Sequence, residues 1–292
     1  MILYNPKDIY RCLVKKEYPR ISEEETCNKF GNLFESGEPF LAGRMGATES
    51  YVLRMYEYKY KSKYDAAVNQ LCEWSGFFPN DKSLMPRFVD LYKNSMKKVD
   101  FLYPMGAKGN SALIDKYCRR DIDFLRSMAV WKHNPPWSSR LAGKKVLVIH
   151  PFKDSIEAQY SRRELIYPGK DTLPEFDLTV IRAVQTIAGQ SDGRFKDWFE
   201  ALDYMCEEIK KVDFDIALIG CGAYGLPLGA FVKDMGKQAI HMGGDLQMLF
   251  GIKGARWEER DDAKGIINDA WVKPLPSETP ERFTKVEGGC YW

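Results

Sequence analysis

The segment D-I-A-L-I-G-C-G-A-Y-G-L-P-L-G, Asp215 to Gly229, constrains the fold of this chain more than any other stretch. An apolar run, Ile216 to Ile219, passes directly into Gly220-x-Gly222-x-x-Gly225 and then into a helix-compatible segment ending near Gly236. That spacing predicts a strand, a tight turn and a helix. Glycines in the turn admit positive φ and let the backbone approach a ligand. The first N–H groups of the following helix, at the positive end of its dipole, favour an anion, with phosphate the natural guest. Close packing of strand against helix is the alternative use of the same glycines.

The rest of the chain extends this unit. After Lys144-Lys145, the run V-L-V-I-H suits a strand buried on both faces. Pro151 to Ser155 forms its turn and Ile156 to Leu165 its helix. Leu178 to Ala183 is the next strand, Phe195 to Val212 a long amphipathic helix, and Gln238 to Met242 a last strand. Earlier, Ser22-Glu23-Glu24-Glu25 has the form of a capping box opening a helix that Gly37 ends. Pro39 to Ala42 reads as a strand, Gly43 to Ser50 as a glycine turn, and Tyr51 to Tyr58 as a helix. From Tyr60 to Val99 the pattern is helical, broken at Gly76-Phe77-Phe78-Pro79. Trp74, Phe77 and Phe78 read first as core aromatics and second as a stacking surface. Phe101 to Met105 is a further strand, followed by a turn at Gly106 to Asn110 and a short helix. Ser127 to Trp137 is expected to hold another strand before Pro135-Pro136.

Strands alternating with helices at this spacing predict an α/β fold, a doubly wound and mostly parallel Rossmann-like sheet with extra N-terminal helices. The expected divisions are an N-terminal helical segment at 1–38, a Rossmann-like domain at 39–254, and an extended tail at 255–292. The tail carries Pro274, Pro276 and Pro280 and is expected to wrap the surface.

Charge and cysteine usage remove several function classes. A formal net charge of +2 over 292 residues provides no basic field for nucleic acid. No signal-peptide pattern and no apolar run of membrane-spanning length is evident, so a cytoplasmic protein is expected, with peripheral attachment at the inner face of the membrane left open. Cys12, Cys27, Cys72, Cys118, Cys206, Cys221 and Cys290 show no C-x-x-C spacing and read as reduced thiols.

In an open parallel sheet, ligands sit at the carboxyl ends of the strands. The turns there offer Arg44 and Lys153 as phosphate-binding cations, with Gly46, Gly220, Gly222 and Gly225 allowing close approach. Glu49, Asp154, Glu157 and Asp245 are candidate carboxylates for base or metal duty. Arg44 could instead be tied up in an ion pair with Glu49. His241, before Gly243-Gly244, reads as a site residue, and His150 as a hydrogen-bonded core residue.

These segments resemble a known family. R-M-G-A-T-E (Arg44 to Glu49), V-L-V-I-H-P-F-K-D-S-I (Val146 to Ile156), G-C-G-A-Y-G and K-x-x-G-K-Q-A-I-H-M-G-G (Lys233 to Gly244) together look like the GT-D-fold bacterial glycosyltransferases. The resemblance runs from about the first strand to the last helix of the sheet. It implies transfer of a sugar from a nucleoside diphosphate sugar, most simply a UDP-hexose, to a glycan acceptor on a protein or lipid carrier. It also implies Glu49 as the catalytic or metal-linked carboxylate, with Asp154, Glu157 and Asp245 as remaining base candidates. The family pattern is arginine, glycine, aspartate, glycine, glutamate; Arg44, Gly46 and Glu49 match it, while Ala47 and Thr48 depart from it. With one carboxylate missing, dependence on Mn²⁺ or Mg²⁺ is expected to be weak or absent. The alternatives are a dinucleotide-dependent oxidoreductase, a methyltransferase, or a non-catalytic nucleotide-sugar-binding protein. The first two lack the usual ribose-binding acid, because the strand after the glycine turn ends His241-Met242-Gly243.

Overall fold

A computed structural model of the chain describes residues 16–58, 61–106 and 109–292. The start of the expected N-terminal helical segment, Cys12, and the centre of the turn at 106–110 lie outside the described residues. Among the described residues there are seven strands: β1 (Leu41–Arg44), β2 (Phe101–Tyr103), β3 (Asp123–Phe124), β4 (Lys145–His150), β5 (Asp177–Arg182), β6 (Ile216–Ile219) and β7 (Gln238–His241). They form one parallel sheet in the order β3-β2-β1-β7-β6-β4-β5. The helices are α1 (Glu23–Ser36), α2 (Ala47–Glu57), α3 (Lys61–Ser75), α4 (Met85–Met96), α5 (Asn110–Tyr117), α6 (Lys153–Tyr160), α7 (Trp198–Lys210), α8 (Gly225–Asp234) and α9 (Asp245–Leu249), followed by two single turns, α10 (Ala255–Glu258) and α11 (Asp261–Lys264).

The sheet is apolar on both faces because successive side chains of a strand point to opposite sides. Leu147 and Ile149 of β4 join one core with Ala217 and Ile219 of β6, against α2, α3, α4, α7 and α8. Val146 and Val148 join the other with Ile216 and Leu218, against α1, α6, α9 and the tail. The doubly wound α/β architecture expected from the sequence is therefore present.

Local signals worked where they were strong. Ser22 Oγ accepts from the Glu25 N–H at 3.0 Å, and Gly37 ends α1 at φ 71. Glu25 turns instead to Lys29, 3.1 Å away. Phe77 and Phe78 are core residues, whereas Trp74 is half-buried and faces the cleft described below.

Three expectations are corrected. Ser127 to Trp137 forms no strand; it holds a short 3₁₀ turn, Val130–Lys132, and the strand lies earlier, at Asp123–Phe124, paired to β2. Gly43 and Arg44 belong to β1 rather than to the turn, because β1 runs on to pair Arg44 with Tyr103 of β2. The tail is not simply laid over the surface: Trp257, Trp271 and Trp292 anchor it in the second core. Full burial of a large apolar side chain stabilises by about 1.5–3 kcal/mol, which outweighs the polar average of the segment. Main-chain bonds from Lys253 N–H to Val272 C=O (2.8 Å) and from Arg256 N–H to Cys290 C=O (3.0 Å) fix its path.

Candidate functional site

Four strands that are adjacent in the sheet, β1, β7, β6 and β4, end at one cleft of about 200 Å³. Its lining includes Arg44, Gly46, Glu49, His150, Gly220, Gly222 and His241, from the last residues of those strands and the turns after them. A cleft across the carboxyl edge is the general location for ligands in such sheets.

Arg44 closes β1, and its guanidinium lies over the Gly243 backbone. A Cβ on Gly243, which sits at φ +61, would stand 3.0 Å from Arg44 Cδ and Nη1. The glycine therefore provides both the left-handed turn and the room for the arginine. Among the described residues Arg44 makes no ion pair and no hydrogen bond, so the expected alternative of a pair with Glu49 is not formed.

Glu49 is the third residue of α2 and is only 4% exposed. Its carboxylate folds back over Gly46, where an added Cβ would fall 1.7 Å from Oε2. A negative group over the first turn of a helix is favoured by the unpaired N–H groups there. Thr48 Oγ1 donates to Glu49 Oε2 at 3.0 Å, and the Thr48 hydroxyl also bonds the Ser75 hydroxyl. Gly46 is thus explained by the space Glu49 needs.

Both cleft histidines are neutral. His150 Nδ1 accepts from the Phe152 N–H at 3.0 Å, which leaves the proton on Nε2, and burial pushes its pKa down to about 3. His241 Nδ1 donates to the Ile219 carbonyl at 3.3 Å, leaving Nε2 as an acceptor. Burial first, and the charge of Arg44 second, lower its pKa to about 3. Gly225 lies under this ring, its hypothetical Cβ 2.1 Å from His241 Cε1, and does not line the cleft. A Cβ added to Gly220 would fall 2.7 Å from the Gly243 carbonyl and 2.8 Å from His150 Cδ2, and one added to Gly222, at φ +56, would fall 2.7 Å from the Ser75 carbonyl. In this turn close packing is the visible reason for the glycines, while Gly220 and Gly222 also face the cleft.

The turn after β4 is different. Lys153 Nζ binds Glu157 Oε1 at 2.6 Å and the Val180 carbonyl at 2.8 Å, and Asp154 pairs with Arg182 at 2.7 Å. Glu278 of the tail caps α6: its Oε1 accepts from the Asp154 N–H at 2.7 Å, and Oε2 accepts from the Ser155 hydroxyl. Lys153, Asp154 and Glu157 do not line the cleft, and the anion position at the start of α6 is filled from within the chain. Asp245, at the start of α9, also stays outside the lining; loss of surrounding water raises its carboxyl above the ordinary value, against the pull of Arg44.

The sequence reading missed the far wall. Arg256, Glu287, Tyr291 and Trp292 line the cleft, as do Ser75, Tyr224 and Gln247. Tyr224 stacks on Trp198 at 4.7 Å. In the sequence the tail reads as polar and proline-bearing, and no motif in it marks Arg256, Glu287, Tyr291 or Trp292 as cleft residues.

For a resident metal the donor set is poor. Among the described residues no group of three or more His, Cys, Asp or Glu side chains is placed to hold an ion. Glu49 is the one sheet-edge carboxylate in the lining, and one of its oxygens is already engaged by Thr48. Among the same residues, no helix is long and apolar enough to cross a membrane.

No protein-family model matches the chain, and no curated protein is significantly similar to it. Among solved structures the chain is similar to a domain described as "domain of unknown function 1792", solved with selenomethionine. The similarity has a TM-score of 0.37 and 12% identity, covering 88% of this chain and 96% of that one.

Proposed function

We propose that the chain is a glycosyltransferase that takes its sugar from a nucleoside diphosphate donor, a UDP-hexose in the simplest case, and passes it to a glycan acceptor on a protein or lipid carrier. The observation that carries this reading is Arg44, an arginine without an ionic partner among the described residues, in the same cleft as a buried carboxylate, Glu49. The resemblance of R-M-G-A-T-E to the GT-D-fold pattern supports the same assignment of these two residues.

In such a transfer an acceptor hydroxyl oxygen bonds to the anomeric carbon as the bond from that carbon to the diphosphate oxygen breaks. The diphosphate leaves with the electron pair, and Arg44 faces the charge that develops on it. Glu49 takes the hydroxyl proton; it lies at the carboxyl edge within the cleft, where Asp154 and Asp245 do not. His150 and His241 stay neutral and act as hydrogen-bonding groups rather than bases. A guanidinium fork suits phosphoryl oxygens and leaves a divalent cation a minor role.

A thermal-shift panel tests the reading. UDP or a UDP-hexose is expected to raise the melting temperature, and a nicotinamide dinucleotide or S-adenosylmethionine is not, since only a ligand of the native state stabilises it. Stabilisation by the dinucleotide alone sinks the proposal. In a transfer assay, activity is expected to persist in part with chelator present; complete loss restored by Mn²⁺ would show a second carboxylate completing a metal site.

A further inference from the structure

The tail that forms the far wall carries a second guanidinium, and its placement relative to Arg44 is specific. Arg44 lies over Gly243, and the next residue, Gly244, is covered by Tyr291, whose Cε1 would be 2.6 Å from an added Cβ. Arg256 in turn sits over the Tyr291 ring, 4.6 Å from its centroid, and donates from Nη1 to the Tyr291 hydroxyl at 3.1 Å. The two arginines therefore flank one turn of the cleft, with the tyrosine between them.

Arg256 differs from Arg44 in being occupied. Its Nη2 is in short contact with Glu287 Oε2, and that carboxylate also lies 3.5 Å from Cys290 Sγ. Glu287 faces the cleft and has φ 47, followed by Gly288 at φ 72 and Gly289 at φ 84. A glutamate in the left-handed region is uncommon and is held only where its surroundings require it. Here the unusual backbone presents a carboxylate to a cleft-facing arginine, with two glycines behind it that can take up a change of conformation.

We infer that Arg256 is the second phosphate contact of the donor, and that Glu287 occupies it as an internal anion until a diphosphate displaces it. The inference rests on the nucleoside diphosphate reading above and deepens it: one phosphoryl group meets Arg44 and the other meets Arg256. Binding then exchanges one charge-assisted pair for another at Arg256, so Glu287 acts as a competitor that lowers affinity.

Calorimetric titration of UDP and of inorganic pyrophosphate into the wild type, Arg44→Gln, Arg256→Gln and Glu287→Gln tests this, with each variant's melting temperature measured alongside. Arg256→Gln is expected to weaken both ligands about tenfold, and Glu287→Gln to tighten both about threefold, changes of ordinary size for one charged contact. A gain in affinity cannot arise from misfolding, so Glu287→Gln keeps the test decisive if Arg256→Gln is unstable. If the wild type and Glu287→Gln bind alike while Arg44→Gln loses affinity, the inference is overturned and the donor reading stands. If the wild type binds neither ligand, the donor reading itself is overturned.

Discussion

The turns after β1 and β4 are built alike and end differently. Each follows a buried strand on the same edge of the sheet, each opens a helix, and each offers a cation and a carboxylate: Arg44 with Glu49, Lys153 with Asp154. In the β4 turn the charges are consumed by the fold, with Lys153 on Glu157, Asp154 on Arg182, and Glu278 at the start of α6. Among the described residues, Arg44 at the end of β1 has no ionic partner and the Glu49 carboxylate bonds only to Thr48. A strand–turn–helix with suitable residues is thus a site only if no other part of the chain reaches its charges first.

The largest effect that would separate the two turns is on stability. Glu278→Ala strips the acceptor from the Asp154 and Ser155 N–H groups and from the Ser155 hydroxyl, and is expected to cost about 3 kcal/mol in urea unfolding, since each buried donor left unpaired costs roughly 1–3 kcal/mol. Glu49→Gln, by contrast, should leave unfolding nearly unchanged and reduce transfer at least ~100-fold. Loss of fold in Glu49→Gln would make that carboxylate structural and erase the contrast.

Next in size is the functional difference between the cations. Arg44→Gln is expected to lower transfer about 100-fold, equivalent to about 2.7 kcal/mol of barrier, while Lys153→Gln stays within about twofold of wild type. Equal losses in the two variants would place Lys153 at the reaction after all.

A smaller effect sharpens the account of the cleft itself. His150 and His241 have folded pKa values near 3, below the ordinary 6.5, and burial lowers that of His133 in the same direction. The unfolded chain therefore takes up these protons first. The contribution of His150 and His241 to stability is complete above pH 6.5 and is lost as pH falls towards 3, by up to about 1.4 kcal/mol per pH unit for each of these two rings. Between pH 6.5 and 5 most carboxylates do not yet titrate, and comparing a histidine variant with wild type in that window cancels the opposite contribution of the raised Asp245 carboxyl. His241→Asn should flatten the slope by one ring's share; an unchanged slope would mean that His241 is already charged in the fold. Smallest of all, Asp154→Asn breaks a half-exposed pair with Arg182 and is expected to shift stability by no more than about 0.5 kcal/mol without altering transfer.

The sequence by itself determined the alternation of strands and helices, the helix ends at Ser22 and Gly37, and the presence of Arg44 and Glu49 where the first strand gives way to its helix. Those features follow from apolar periodicity and backbone geometry, which act over a few residues and can be read locally. It did not determine which turns stay open. The bond from Asp154 to Glu278 spans 124 residues, and Arg256 and Tyr291 reach the cleft only because the buried tryptophans draw the tail onto the sheet edge. Hydrophobic burial is non-directional and reports only that Trp257, Trp271 and Trp292 go inside. Where they go inside, and so which charges meet and which are left for a ligand, is settled by the shape of the packed sheet and helices around them.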